Sequence, residues 1–307
     1  PIERATHLLP QIQSKRTFIY SKAVDGLRQI LWGLFMKIVV ADNCAIVVNE
    51  IFKDQSHYNA PSLIIGAVLF AFQIYGDFSG YSNIALGSAK LFGIDLLKNF
   101  AFPYFSRDIA EFWRRWHISL SSWFKDYLYI PLGGSKGGKW MQIRNTLIIF
   151  VVSGFWHGAN WTFIIWGFLN ALYIMPLVIF NLNRKNTNTV AEGRLLPNMK
   201  EFCQIIFTFA ITVIAWVFFR SRTVADAFDY VGRIFTFNNY GWPQTDSKPF
   251  IFIAVLVIVE WFQRNKDHGL QIDNIKNILV RWSIYAVLIL IILIFGANSD
   301  SFIYFQF

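Results

Sequence analysis

The chain has 307 residues, of which 55% are hydrophobic, 18% aromatic and only 15% charged, with a formal net charge of +9. Soluble domains carry about 25% charged residues, so this composition excludes an ordinary soluble globular protein and points to a polytopic membrane protein. The surplus Lys and Arg fall between apolar runs, a pattern that the positive-inside rule explains without a nucleic-acid partner.

In chain order, residues 1–26 are polar and basic, and predict a cytoplasmic loop with a short amphipathic helix. Residues 27–50 form a first apolar segment interrupted by Lys37 and Asp42. A loop at 51–60 leads to Pro61, a residue suited to the first turn of a helix. Residues 62–92 read as the next span and contain Tyr75-Gly76-Asp77-Phe78-Ser79-Gly80-Tyr81-Ser82. Asp77 is either a carboxylate satisfied by neighbouring hydroxyls or a residue shaping an active-site cavity. Residues 93–141 are strongly basic, with Lys98, Arg107, Arg114, Arg115, Lys125, Lys136 and Lys139, and are placed on the cytoplasmic side. Within them 107–129 has helical spacing but mixed polarity, which fits a re-entrant or interfacial helix.

Residues 142–157 and 161–182 predict two helices joined at His157-Gly158-Ala159-Asn160. Further spans are expected at 202–219, 249–263 and 282–297, with a short amphipathic helix at 223–235 whose Thr223 and Asp226 form a capping-box variant. Counting crossings places 183–200 and 264–281 inside, and 51–60, 221–247 and the C-terminus outside. The fold class is therefore all-α, a multi-pass membrane protein with transmembrane and re-entrant or interfacial helices, organised as a single domain over 1–307. No internal repeat is visible.

Two histidines stand out. His157 follows Trp156 at the end of the uncharged run 147–155, where apolar surroundings disfavour an imidazolium and leave a neutral base. Gly154 and Gly158 leave room for a substrate or a backbone to approach. The alternative is a structural histidine donating to a carbonyl. His117 follows Arg114, Arg115 and Trp116, and reads either as a second active-site residue or as an interfacial histidine. The basic, Gly-rich stretch through Gly133, Gly134, Gly137 and Gly138 suits either the phosphates of a nucleotide-bearing donor or topology and anionic lipid. It lacks Walker-loop spacing. Ser79 and Ser153 lack a nucleophile elbow, and the acids are too scattered for a carboxylate-pair glycosidase. Cys44 and Cys203 lie in apolar segments without metal-ligand spacing, so no metal site is expected.

The run from Phe112 through Arg114, Arg115, Trp116 and His117 to Tyr129, Pro131, Gly133 and Gly134 resembles the signature of the membrane-bound O-acyltransferases, in the bacterial branch of alginate O-acetyltransferase. The runs 75–82, 155–161 and the tail 302–307 look like its other landmarks, so the resemblance covers the whole chain. It implies two active-site histidines, His117 and His157, with His157 the base. It implies a tunnel with Asp77, Arg114, Arg115, Trp116, Trp156 and Asn160 as substrate-contacting candidates. No permanently bound cofactor is expected; acetyl-CoA is the donor, entering from the cytoplasm. The acyl group is then handed to an extracytoplasmic SGNH/GDSL-like acetyltransferase and on to a polysaccharide such as alginate, another exopolysaccharide or peptidoglycan. The tail motif, Phe302, Tyr304 and Phe307, is similar to one thought to supply an acyl-accepting tyrosine. The localisation implied is the bacterial inner membrane. The family has further transmembrane helices ahead of this region, and the chain opens at Pro1 without an initiator Met, so a C-terminal fragment of a longer chain is expected. The rival readings are a D-alanyl transferase to teichoic acid fed by a carrier-protein thioester, a transporter, and a non-catalytic scaffold of a polymer export complex.

Overall fold

The computed structural model describes residues 1–236 and 241–297. Tyr304, with the rest of the 302–307 motif, lies outside the described residues. All regular structure among the described residues is helical. The helices are α1 (Ala5–Gln13), α2 (Tyr20–Leu34), α3 (Asp42–Lys53), α4 (Ala60–Leu91), α5 (Ile109–Arg115), α6 (Ile118–Phe124), α7 (Gly138–His157), α8 (Trp161–Ile179), α9 (Met199–Arg220), α10 (Val224–Ile234), α11 (Pro249–Phe262) and α12 (Ile278–Phe295). Wider π-helical turns occupy Phe35–Ala41 and Lys125–Tyr129.

Among the described residues, five helical stretches are long and apolar enough to cross a membrane: Tyr20–Lys53, Ala60–Leu91, Trp161–Ile179, Met199–Arg220 and Ile278–Phe295. The first begins well before residue 27, because α2, the π turn and α3 run on without a break. Two other expected spans, α7 and α11, fall outside this set. The early turns of α7 carry Lys139, Gln142, Arg144 and Asn145, and α11 has only 14 residues. The expected helix over 107–129 is broken in two at Trp116–His117. The Thr223 capping box forms as its spacing requires, with Asp226 N donating to Thr223 Oγ1 at 3.1 Å and Thr223 N donating to Asp226 Oδ2 at 3.2 Å.

The described residues group into two compact units. One gathers 1–47, 72–101 and 246–297. Here α2 and α4 run antiparallel at very close approach. A Cβ at Gly26 would strike the Gly87 carbonyl, one at Gly33 the Gly80 carbonyl, and the reverse holds for each pair. Backbones close this tightly only where side chains are absent, the usual device for packing helices in lipid. Lys37, on the π turn, lies 2.8 Å from Asp42 and 2.7 Å from Asp77. A lysine thus pairs with the Asp77 carboxylate, a partner that neither reading of the sequence named. A buried acid needs such a partner.

The other unit gathers 48–71, 102–236 and 241–245. Two segments counted as outside meet at one end of it. Gln55 Nε2 donates to the Asp226 carbonyl and to Asp229 Oδ2, each at 2.9 Å, and Arg233 Nη2 donates to the Ser56 carbonyl at 2.6 Å. Two segments counted as inside also meet each other, through Arg107, Arg114 and the 183–188 loop.

Candidate active site

The site is built on α5 and on the hairpin of α7 and α8, all in this second unit. Helix α5 starts at Asp108, whose carboxylate accepts from Glu111 N at 2.7 Å, a strong N-cap. Glu111 is 1% exposed. Its carboxylate accepts from Arg107 N at 2.8 Å, Arg107 Nε and Nη2 at 3.0 Å, and Arg115 Nη2 at 2.9 Å. Arg107 also donates to the Asn188 carbonyl at 2.7 Å. A buried carboxylate gripped by two guanidiniums fixes the helix firmly, because removing any partner would strand a charge.

After Arg115 the chain breaks. Trp116 is extended, and His117 adopts left-handed backbone angles (φ 46°, ψ 51°) before α6 starts. Few side chains accept this region, and histidine is among those enriched in it. The turn buries His117, which is 5% exposed. Burial holds its imidazole well below the ordinary histidine value, and the nearby His157 adds to that shift.

His157 ends α7. Its position follows from the close crossing of α7 and α8: a Cβ at Gly154 would strike the Phe163 carbonyl, and one at Gly167 the Phe150 carbonyl. The space left by Gly154 is therefore used by backbone, and that at Gly158 by the Phe163 ring. Pressed against α8 and α9, the His157 ring lies 5.2 Å from Trp166 and 5.1 Å from Phe219, edge-on to each, and 4.9 Å from Trp156. Trp156 in turn lies 6.3 Å from the His117 ring. Trp116, deeply buried, packs at 5.1 Å on Trp216, which stacks on Trp166 at 5.6 Å. A continuous aromatic wall thus links two imidazoles that are forty residues apart in sequence.

The other candidates have different surroundings. Arg114 donates to the Asn183 and Asn186 carbonyls at 2.6 Å, and Arg115 is bound to Glu111, so both anchor α5. Asn160 caps α8 by accepting from Thr162 N at 3.1 Å and donates to the Arg222 carbonyl at 2.9 Å, closing the end of the hairpin. Asp77 sits in the other unit with Lys37. In the basic loop, Gly133 and Gly134 have positive φ and form a turn pinned by Asn145 Nδ2, which donates to the Leu132 and Gly134 carbonyls. Lys125 and Lys136 remain exposed there. Among the described residues, no group of three or more His, Cys, Asp or Glu side chains is placed to hold a metal ion.

Sequence reasoning missed Glu111, Trp166, Trp216 and Phe219. Glu111 had a signal, since Arg107, Glu111 and Arg115 follow each other at helical spacing of four. The rings of α8 and α9 had none, because apolar aromatics in a span read as lipid-facing or core alike.

The model of the membrane-bound O-acyltransferase family matches residues 9–220, which include both histidines and the whole aromatic wall. Over its full length the chain is 33% identical to a probable alginate O-acetylase of Pseudomonas putida, covering 66% of that protein. It is 29% identical, again over its full length, to a peptidoglycan O-acetyltransferase of Helicobacter pylori, covering 61% of it. It is also 30% identical over 69% of its length to a teichoic acid D-alanyltransferase of Streptococcus thermophilus, covering 54% of that protein. The chain therefore spans about half to two thirds of the length of these relatives.

Proposed function

The chain belongs to the membrane-bound O-acyltransferase family, and from that premise we propose that the whole protein moves an acetyl group from cytoplasmic acetyl-CoA to a polysaccharide outside the membrane. The observation that carries this reading is the meeting of His117 and His157 inside one aromatic wall. Neutral His157 takes the proton of an acceptor hydroxyl as its oxygen attacks the thioester carbonyl. The carbon–sulfur bond then breaks, the acyl–oxygen bond remains, and the imidazolium returns its proton to the departing thiolate. His117 assists by holding the thioester oxygen or the acceptor. The acceptor hydroxyl belongs to Tyr304 if the acyl group is relayed to an SGNH/GDSL-like partner, and to the polymer if it is handed over directly. The exposed Lys125 and Lys136 offer contacts to the donor's phosphates. On this reading the protein sits in the bacterial inner membrane with its C-terminal tail outside.

The test is full-length protein in vesicles with labelled acetyl-CoA, followed by mass spectrometry of the C-terminal peptide. Labelled acetyl on Tyr304 that vanishes in His157→Ala supports both the base and the relay. Labelled polymer without labelled Tyr304 retires the tyrosine. Transfer at the wild-type rate in His157→Ala overturns the base. A second reading, D-alanyl transfer from a carrier-protein thioester, is favoured by the likeness to a teichoic acid D-alanyltransferase. Offering the two thioesters separately decides between them.

A further inference from the structure

The chemistry above makes no use of a groove of about 530 Å³ between the first turns of α2 and of α12, both in the first unit. Its walls are mixed in a definite order. Tyr20, at the start of α2, and Trp282, in the second turn of α12, are both largely exposed. Leu27 and Leu31 continue the α2 wall away from that end. Two arginines belong to the groove, and they differ. Arg28 is buried and committed: its Nε donates to the Tyr285 hydroxyl at 2.7 Å, and its guanidinium pairs with Asp273. Arg281 is half-buried and is the one charged residue of α12. Among the described residues no carboxylate pairs with it.

A lone arginine a turn inside an apolar helix is expensive unless its head reaches an anion at the interface. The aromatic residues beside it are those that favour the headgroup level. Both helices start at this end and follow the basic segments 1–26 and 264–281, which the positive-inside rule assigns to the cytoplasm. That leaflet carries the acidic lipids. Of the residues of α12 only Leu288 is buried, so the helix presents a nearly complete apolar surface around the groove.

We propose that this groove is a binding site for one acidic phospholipid of the cytoplasmic leaflet. Its phosphate pairs with Arg281, its ester region lies against Trp282 and Tyr20, and an acyl chain runs along Leu27 and Leu31. Arg28, tied to Tyr285 and Asp273, holds the two walls together.

The test uses full-length protein in phosphatidylcholine nanodiscs containing a small fraction of phosphatidylglycerol with a photoreactive acyl chain. In a parallel arm the photoreactive chain is on phosphatidylcholine. Cross-linked peptides are mapped by mass spectrometry. The expected result is labelling within 20–31 and 278–285 by the phosphatidylglycerol probe in excess over the phosphatidylcholine probe. Arg281→Gln should lower that labelling about fivefold, the loss of one arginine–headgroup contact near the surface. Arg281→Lys should retain most of it, and Lys276→Gln, on the same basic segment but outside the groove, should leave it unchanged. Equal labelling by both probes, no labelling of these segments, or labelling indifferent to Arg281→Gln each overturns the proposal.

Discussion

Two clusters bury polar groups inside apolar helices, and they do so in opposite ways. In the first unit Lys37 lies within 2.8 Å of both Asp42 and Asp77, so charge is met by charge. In the second, the His157 ring packs on Trp156, Trp166 and Phe219, and the His117 ring faces Trp156, so ionisable rings are met by aromatic ones. Ion pairs in low dielectric are hard to separate once made. Imidazoles among aromatic rings stay neutral and keep the capacity to accept a proton. The first arrangement suits a fixed joint between helices, and the second a group that must change its protonation state.

The largest expected effect tests the second arrangement directly. His157→Gln should lower acyl transfer about 100- to 10,000-fold, the range for loss of a general base, with the unfolding midpoint in detergent close to wild type. A variant with wild-type turnover in a vesicle assay would remove the contrast. For the first arrangement, Lys37→Met should cost about 3–5 kcal/mol in denaturant unfolding, because it strands two buried carboxylates. Asp77→Asn should cost less, since Lys37 keeps Asp42. If Asp77→Asn abolished transfer while leaving stability intact, Asp77 would belong with the histidines as a working residue.

A smaller effect is expected at the crossing that places His157. Gly154→Ala should destabilise by about 1–3 kcal/mol through overpacking against the Phe163 carbonyl, and transfer should fall with it. Thermal unfolding measured alongside the transfer assay checks both. The smallest effect concerns pH. Because the folded-state pKa of His117 lies below its unfolded value, the unfolded chain gains a proton that the native chain refuses as pH falls below about 6.5. Stability should therefore be level above that pH and decline below it. His117→Asn, which accepts the same left-handed backbone, should lessen the decline and leave the part that burial of His157 contributes. A slope unchanged in that variant would assign it to another group.

The membrane class, most helix positions, the capping box at Thr223 and the two histidines were all legible along the chain, because apolar runs, cap spacing and residue type are local properties. The division of roles among Arg114, Arg115 and Asn160 was not. Each looked like a substrate contact, and each is engaged with backbone or with Glu111. The break at Trp116–His117 was also unreadable, since no Gly or Pro marks it and the left-handed turn falls on a histidine. Likewise Asp77 could be seen as a buried acid, but its partner could not.

Composition and periodicity, by themselves, determined that this protein is a bundle of membrane helices carrying two chemically able histidines. Tertiary structure alone decided that those histidines meet along one aromatic wall. The reason is that helix–helix contact in lipid depends on where backbones can touch. That was settled by Gly154 against the carbonyl of Phe163 and by Gly167 against the carbonyl of Phe150, and it is a property of a pair of helices that neither sequence segment holds alone.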